Sequence, residues 1–358
     1  GVEFDNNAPG TAGTHKYSIR IGNAKDVVLS GLRFFNGYDN AIQGNGPDGV
    51  YINSNAPDDI NNILVEDCEF DGFTRNGCSV TDGVNGLTFR GCTFKNNGLT
   101  GLDIEANTGS SVRVRNVIVE HCKFIDNGDF IKSGSSPFPK GHLGLFSSSP
   151  SSFHSEDVTI RNNTFQTKTA VNAGGVFSIT SASSKNLTIS NNTFLVSDSY
   201  VSANGAGGLL NLEASSFKSE NLKFTENQVI NHKLQSYSLK QSVVKYNFFT
   251  GSASVVIVGN VSSAQIDVSC NTFLGCGKST ESIVSVAGRG VVVSGNRFVE
   301  DRASNSPSNI ISTSLARGAI YDLDVTGNTC DVTNNARWGK FFSSEEASGT
   351  RLAGVNVS

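Results

Sequence analysis

The chain has 358 residues, a formal net charge of −4 and a sequence pI near 5.8. That mild acidity, with Lys and Arg scattered, excludes a nucleic-acid surface, which needs a clustered basic face, and no apolar run is long enough to span a membrane. The chain starts at Gly1 and contains no Met, with neither the charged nor the apolar segment of a leader, so it reads as a domain of something longer.

From about Val27 to about Cys330 one pattern recurs without a linker. Two apolar residues two places apart are followed by a turn, then Cys or Asn, then Phe two places on. The copies include Ile63 to Phe70, Leu87 to Phe94, Val158 to Phe165, Leu187 to Phe194, Val291 to Phe298 and Leu323 to Cys330. In chain order the Cys/Asn slot holds Leu32, Cys68, Cys92, Cys122, Asn163, Asn192, Asn227, Asn247, Asn271, Asn296 and Asn328. A period of roughly 20 to 41 residues is the mark of a solenoid. The spacing of two is the inward face of a strand, and no segment keeps a helical stripe over three turns. Gly or Asn in each turn tolerates left-handed backbone angles. A repeated Asn can hydrogen-bond to the coils on either side and satisfy buried backbone groups along the stack.

A second strand follows in several coils, led by a glycine: Gly49-Val-Tyr-Ile-Asn, Gly77-Cys-Ser-Val-Thr, Gly101-Leu-Asp-Ile-Glu and Gly208-Leu-Leu-Asn-Leu-Glu. The fold class is therefore all-β, a single-stranded parallel β-helix of about eleven coils. It forms one domain over residues 1–340, with 341–358 as a tail or the start of a further segment. Seven cysteines are an odd number. Three of them sit in ladder slots, where a stack of buried free thiols fits better than disulfides. No Cys-x-x-Cys occurs and the His are scattered, so no metal or other cofactor is expected.

A β-helix has a packed interior, so chemistry has to use outward ladder residues or inserted turns. Alternation on the second strand puts Tyr51, Ser79 and Asp103 in one outward column and Asn53, Thr81 and Glu105 in the next. Asp103 and Glu105 then face solvent together, roughly 6.5 to 7 Å apart along the strand. Side-chain reach covers both the retaining and the inverting spacing of glycosidases, and mutual repulsion raises the pKa of one acid. Asp82, just past Thr81, is a third candidate carboxylate. Asp48, in Asn-Gly-Pro-Asp-Gly, reads first as a turn residue. Arg75 enters the same coil as a candidate contact for a substrate carboxylate or hydroxyl, and Tyr51 and Asn53 line the columns.

The longest gap in the repeat lies between Phe124 and Phe165, and its insertion should project beside the acid pair. It brings Lys132, Lys140, His142 and Phe138 as candidate contacts, suited to an acidic sugar and to stacking on a pyranose. Glu213 falls in the Glu105 column three coils away, about 14 Å off, and would line a long groove.

The segments Arg75-Asn-Gly-Cys-Ser-Val, Val84-Asn-Gly-Leu-Thr-Phe-Arg-Gly-Cys-Thr-Phe-Lys-Asn-Asn-Gly and Gly101-Leu-Asp-Ile-Glu-Ala-Asn resemble the central coils of pectate-lyase-like right-handed β-helix proteins, especially phage tailspike polysaccharide depolymerases. A Gly-Ile-Asp-Ile-Glu-Pro-Asn segment is common there, and Ala106 stands here in place of the Pro. The specific match covers about Asp48 to Asn127. It implies an extracellular or virion-associated trimeric spike that binds and cleaves bacterial surface polysaccharide with carboxylates on the helix surface or between subunits. The polygalacturonase pattern is absent, Gly141-His142-Leu143 being the nearest fragment to its Gly-His-Gly, and no arginine-centred pectate lyase motif is found. Three functions follow as expectations. The first is an endo-acting depolymerase of an acidic glycan; the second is a lyase or epimerase on a uronic-acid polymer; the third is a non-catalytic glycan-binding adhesin or receptor-binding spike. Fold alone does not choose among them.

Overall fold

The computed structural model describes residues 3–5, 17–37, 47–54, 56, 58–106, 114–128, 141–147, 155–168, 177–181, 184–199, 201, 208–212, 219–236, 239–251, 254–258, 264–276, 282–300, 309–314, 320–332, 340–345 and 352–357. Nearly all of them are strand. The strands form three parallel sheets of 12, 12 and 13 strands, each strand pairing with its counterpart one coil earlier and one coil later. This is a parallel β-helix, as the period-two spacing requires.

The recurring pattern crosses two of the sheets. Its apolar pair lies on the 13-stranded sheet, as Ile63 and Val65 do on the strand Ile60–Glu66. Its Phe lies on a short strand of a 12-stranded sheet, as Phe70 does on Glu69–Asp71. Between them is one left-handed residue. Gly31, Gly91, Gly295 and Gly327 take that conformation, but so do Asp67, His121, Tyr246 and Cys270, with φ between 52° and 58°. The backbone geometry of the coil is thus imposed by ladder pairing even where the residue type opposes it.

Two stacks fill the interior. Phe34, Phe70, Phe94, Phe124, Phe165 and Phe194 stack with centroids 4.7 to 5.1 Å apart, each contact adding about 0.5–1.5 kcal/mol beyond burial. Beside them runs the asparagine ladder. Asn163 donates its backbone N–H and its Nδ2 to Oδ1 of Asn192, at 2.9 and 3.0 Å, and Nδ2 also reaches the Val119 carbonyl at 2.9 Å. The same three bonds recur on to Asn328. All seven cysteines are free thiols. Contact with Cys92 and burial both push the Cys68 pKa up, so this thiol is a core group and not a nucleophile.

Ladder pairing extends past residue 340, since Lys340–Glu345 pairs with Asn309–Ser314 and Leu352–Val357 pairs with Ile320–Thr326. No Cys/Asn-x-Phe turn marks this pairing in the sequence.

Candidate active site

The candidate residues lie on the second 12-stranded sheet, on the neighbouring strands Asp48–Asn53, Asn76–Thr81, Thr100–Ala106 and Gly141–Ser147. Register places Tyr51 beside Ser79 and Ser79 beside Asp103; in the next column Asn53 adjoins Thr81 and Thr81 adjoins Glu105. The inward neighbours Cys78, Val80, Leu102 and Ile104 are core residues. Alternation therefore assigns the outward columns as expected.

The glycine that leads each strand sits where the chain bends into the core. A Cβ on Gly77 would lie 2.6 Å from the Gly101 carbonyl, and one on Gly101 would lie 2.7 Å from the His142 carbonyl. Only hydrogen fits there. The bend also frees the preceding residue to turn outward, so Asp48 and Asn76 join Ser79 and Asp103 on one face.

These four form a buried polar cluster. Asp48 accepts from the Asn76 backbone N–H at 3.0 Å and from the Ser79 hydroxyl at 2.9 Å, and its Oδ2 lies 3.4 Å from Arg75 Nη1. Asn76 Nδ2 donates to Ser79 Oγ and to Asp103 Oδ2, both at 2.9 Å. Asp48 is thus not a plain turn residue but the anchor for Arg75, Asn76 and Ser79. Asp103 is only 4% exposed, which corrects the expectation that both acids lie open to solvent. Glu105 remains half-buried. Among the described residues, the second oxygen of Asp103, Oδ1, is buried without a hydrogen-bond partner.

Burial, then the charge of Glu105, push the Asp103 pKa up to about 8, against the opposing pull of Arg75. At neutral pH Asp103 is therefore a protonated acid one pleat away from a second carboxyl group. Burial works against the charge of Arg75, but the fields of Asp48, Asp103 and Glu105 outweigh it and its pKa is raised. Tyr51 stacks on Tyr17 with centroids 5.6 Å apart and shares a 3.2 Å hydrogen bond with Thr81. Asn53 accepts from Arg20 Nε at 3.0 Å. An open cleft of about 300 Å³ is lined by Arg20, Asn23, Ser54, Ala56 and Asp59, at this end of the columns and away from the acid pair.

Two other candidates stand elsewhere than expected. His142 is no loop residue: it is fully buried, with ring nitrogens 3.2 Å from Asn127 Nδ2 and 3.0 Å from Thr167 Oγ1, and burial pushes its pKa down to about 3. It continues an internal ladder begun by Asn97 and Asn127 and cannot touch a substrate. Asp82 is a buried left-handed turn residue with φ 47° whose carbonyl accepts from Ser54, a structural role at the strand end. Lys132, Phe138, Lys140 and Glu213 lie outside the described residues.

Residues 1–195 match the profile of a family described as the right-handed β-helix region. The chain belongs to that family. Three solved structures are similar to this chain, and the first shows the likeness at the level of fold. The surface adhesin PfbA of Streptococcus pneumoniae has a TM-score of 0.56 at 12% identity, over 92% of this chain and 82% of that one. DFA-IIIase from Arthrobacter chlorophenolicus A6, without its lid, scores 0.48 at 13% identity over 96% and 88%. The GH136 lacto-N-biosidase from Eubacterium ramulus scores 0.45 at 11% over 85% and 63%. None of the curated proteins matches in sequence.

In this right-handed β-helix the residue that sequence reasoning missed is Phe146. It pairs with Glu105, and Gly144 pairs with Asp103. The signal was a Gly-Leu-Phe run on the strand after the insertion, unreadable without the register across that insertion.

Proposed function

We propose that the protein is an endo-acting depolymerase of an extracellular polysaccharide, with Asp103 as general acid and Glu105 as nucleophile or general base. One observation carries this reading. Asp103 is a buried acid that stays protonated at neutral pH, beside a second, more open carboxyl group, with one oxygen unpartnered. A glycosidic oxygen needs a proton donor and the anomeric carbon needs a carboxylate, and the two groups must differ in proton affinity at the same pH. The stacked Tyr17–Tyr51 pair offers an apolar face to a pyranose ring. Exposed Arg20 in the same column supports a preference for acidic sugars. The extracellular setting and a trimeric assembly belong to the same reading, through the resemblance of Asp48 to Asn127.

The test is a reducing-end assay on a panel of acidic capsular and algal polysaccharides with the parent, Glu105→Gln and Asp103→Asn. Loss of general acid–base catalysis should lower the rate by about 10²- to 10⁴-fold in each variant. Unchanged activity in both sinks the assignment. Products that absorb as unsaturated uronates make the reaction an elimination, and binding without cleavage makes the protein an adhesin.

A further inference from the structure

The coil after the acid pair places an apolar residue where a polar ladder would be expected. Gly144 pairs with Asp103 and Phe146 with Glu105. A Cβ on Gly144 would lie 2.0 Å from Phe146 Cε2, 2.6 Å from Cζ and 2.7 Å from Cδ2. The phenyl ring thus folds back from its own column into the space a side chain at position 144 would occupy. That space is one strand spacing, about 4.8 Å, from Asp103. Beside it Asp103 is buried and Glu105 half-buried.

We propose that Phe146, admitted by Gly144, is a positioning residue that walls Asp103 off from water and so decides which carboxyl of the pair carries the proton. The inference rests on the glycan-cleaving reading for its purpose, but not for its physics. Among the described residues, the charged and titratable groups around Asp103 are Glu105 on its own strand, Arg75 and the inward thiol of Cys78 in the coil below, and Asp48 one coil further. Above it, Gly144 and Phe146 bring no charge, and His142 on that strand is turned inward. The environment is therefore asymmetric, with a cation and an amide donor below and hydrocarbon above. An apolar wall disfavours the charged form of a carboxyl group, and water entering from above would relieve that penalty first. Gly144 has a matching reason: any side chain there would displace the ring.

The experiment follows Asp103 directly, by carboxyl ¹³C NMR titration with Asp103→Asn for assignment, alongside the pH profile of kcat/KM on whichever panel polysaccharide the parent cleaves. Phe146→Ala and Gly144→Ala should lower the Asp103 midpoint by about one pH unit or more, with the alkaline limb of the profile moving alike, whereas Phe146→Leu should hold it. Phe146→Gln, which keeps volume but adds polarity, gives the same answer should the Ala variant fail to fold. An unmoved midpoint with a raised KM overturns the proposal and makes Phe146 a stacking platform. A shifted midpoint in a protein that cleaves no glycan keeps the wall and sinks the depolymerase reading instead.

Discussion

The asparagine ladder and the Asp48–Asn76–Ser79–Asp103 cluster both bury polar side chains in the same β-helix, and they end differently. Along the ladder each amide oxygen from Asn192 to Asn328 takes two donors, and each amide nitrogen from Asn163 to Asn296 serves two acceptors. In the cluster the bonds run from Asp48 through Asn76 and Ser79 to Asp103 Oδ2 and stop, leaving Oδ1 without a partner. A buried polar group that is satisfied costs little, and one left unmatched costs about 1–3 kcal/mol. The ladder therefore reads as scaffold. The cluster carries a cost that a further hydrogen-bond partner would lower.

The strongest way to break this contrast is Asp103→Asn. Activity should fall by about 10²- to 10⁴-fold, while stability at pH 8 should rise. The sign follows from the proton count. The unfolded chain ionises Asp103 near 3.8, and the folded chain near 8. Between those values only the folded state holds the proton, so stability falls by about 1.4 kcal/mol per pH unit as pH rises. The amide removes that slope. Urea midpoints at pH 5 and pH 8 check it, and a variant no steadier than the parent at pH 8 means that Asp103 is not strained.

On the scaffold side the same kind of truncation should do the opposite. Asn227→Ala strips the acceptor from Asn192 N–H and Nδ2, and the donors to Ile189 O and to Asn247 Oδ1. A loss of about 2–4 kcal/mol is expected, read as a lower urea midpoint with unchanged m. Asn328, half-buried at the far end of the described ladder, should cost less when truncated.

A smaller effect comes from the internal histidines. Burial pushes His142 down to about 3 and His232 to about 4; the latter stacks edge-on against Phe194 and lies 2.6 Å from Ser178 Oγ. Their folded values are below the unfolded 6.5, so the unfolded state binds protons first. Stability is full above about pH 6.5 and is lost as pH falls toward 4, with up to two protons driving the loss. Asp103 acts in the opposite direction up to pH 8. The two trends together put the stability maximum near pH 6.5, and Asp103→Asn should flatten the alkaline side and steepen the acid side. Thermal melts from pH 4 to 9 decide this.

How much of this was legible in the sequence depends on range. The inward pairs such as Ile63 and Val65, the Phe stack and the Cys/Asn slot repeat locally, so period and slot disclosed them. Outward assignment of Asp103 and Glu105 followed from alternation alone. The burial of Asp103 did not, because it depends on Asn76 one coil below and Phe146 one coil above. Asp48 misled because Asp-Gly is turn chemistry in isolation, whereas here Gly49 turns into the core and sends Asp48 outward. His142 misled because it follows a long insertion, and nothing local says that it enters an interior ladder behind Asn127.

The mildest test joins the two regions. In the thiol coils Cys92 Sγ donates to Val65 O at 3.3 Å, the carbonyl that an asparagine amide would reach, since Asn163 Nδ2 bonds Val119 in the equivalent place. A thiol supplies that one weak bond, and it lacks the amide oxygen that elsewhere receives the preceding coil's N–H. Cys122→Asn should therefore extend the ladder by one rung. Its oxygen would face the Cys92 N–H and its Nδ2 the Phe89 carbonyl and Asn163 Oδ1, already the acceptor for the Cys122 N–H at 2.8 Å. The new bonds, about 0.5–1.5 kcal/mol each, are offset by the loss of close-packed sulfur and by the larger amide. A net gain within about 1 kcal/mol is expected, seen as a small rise in urea midpoint. A clear loss instead would mean that the slot beside the candidate site is shaped for sulfur, and that the change from Cys to Asn along the ladder is a packing requirement of the site-bearing coils.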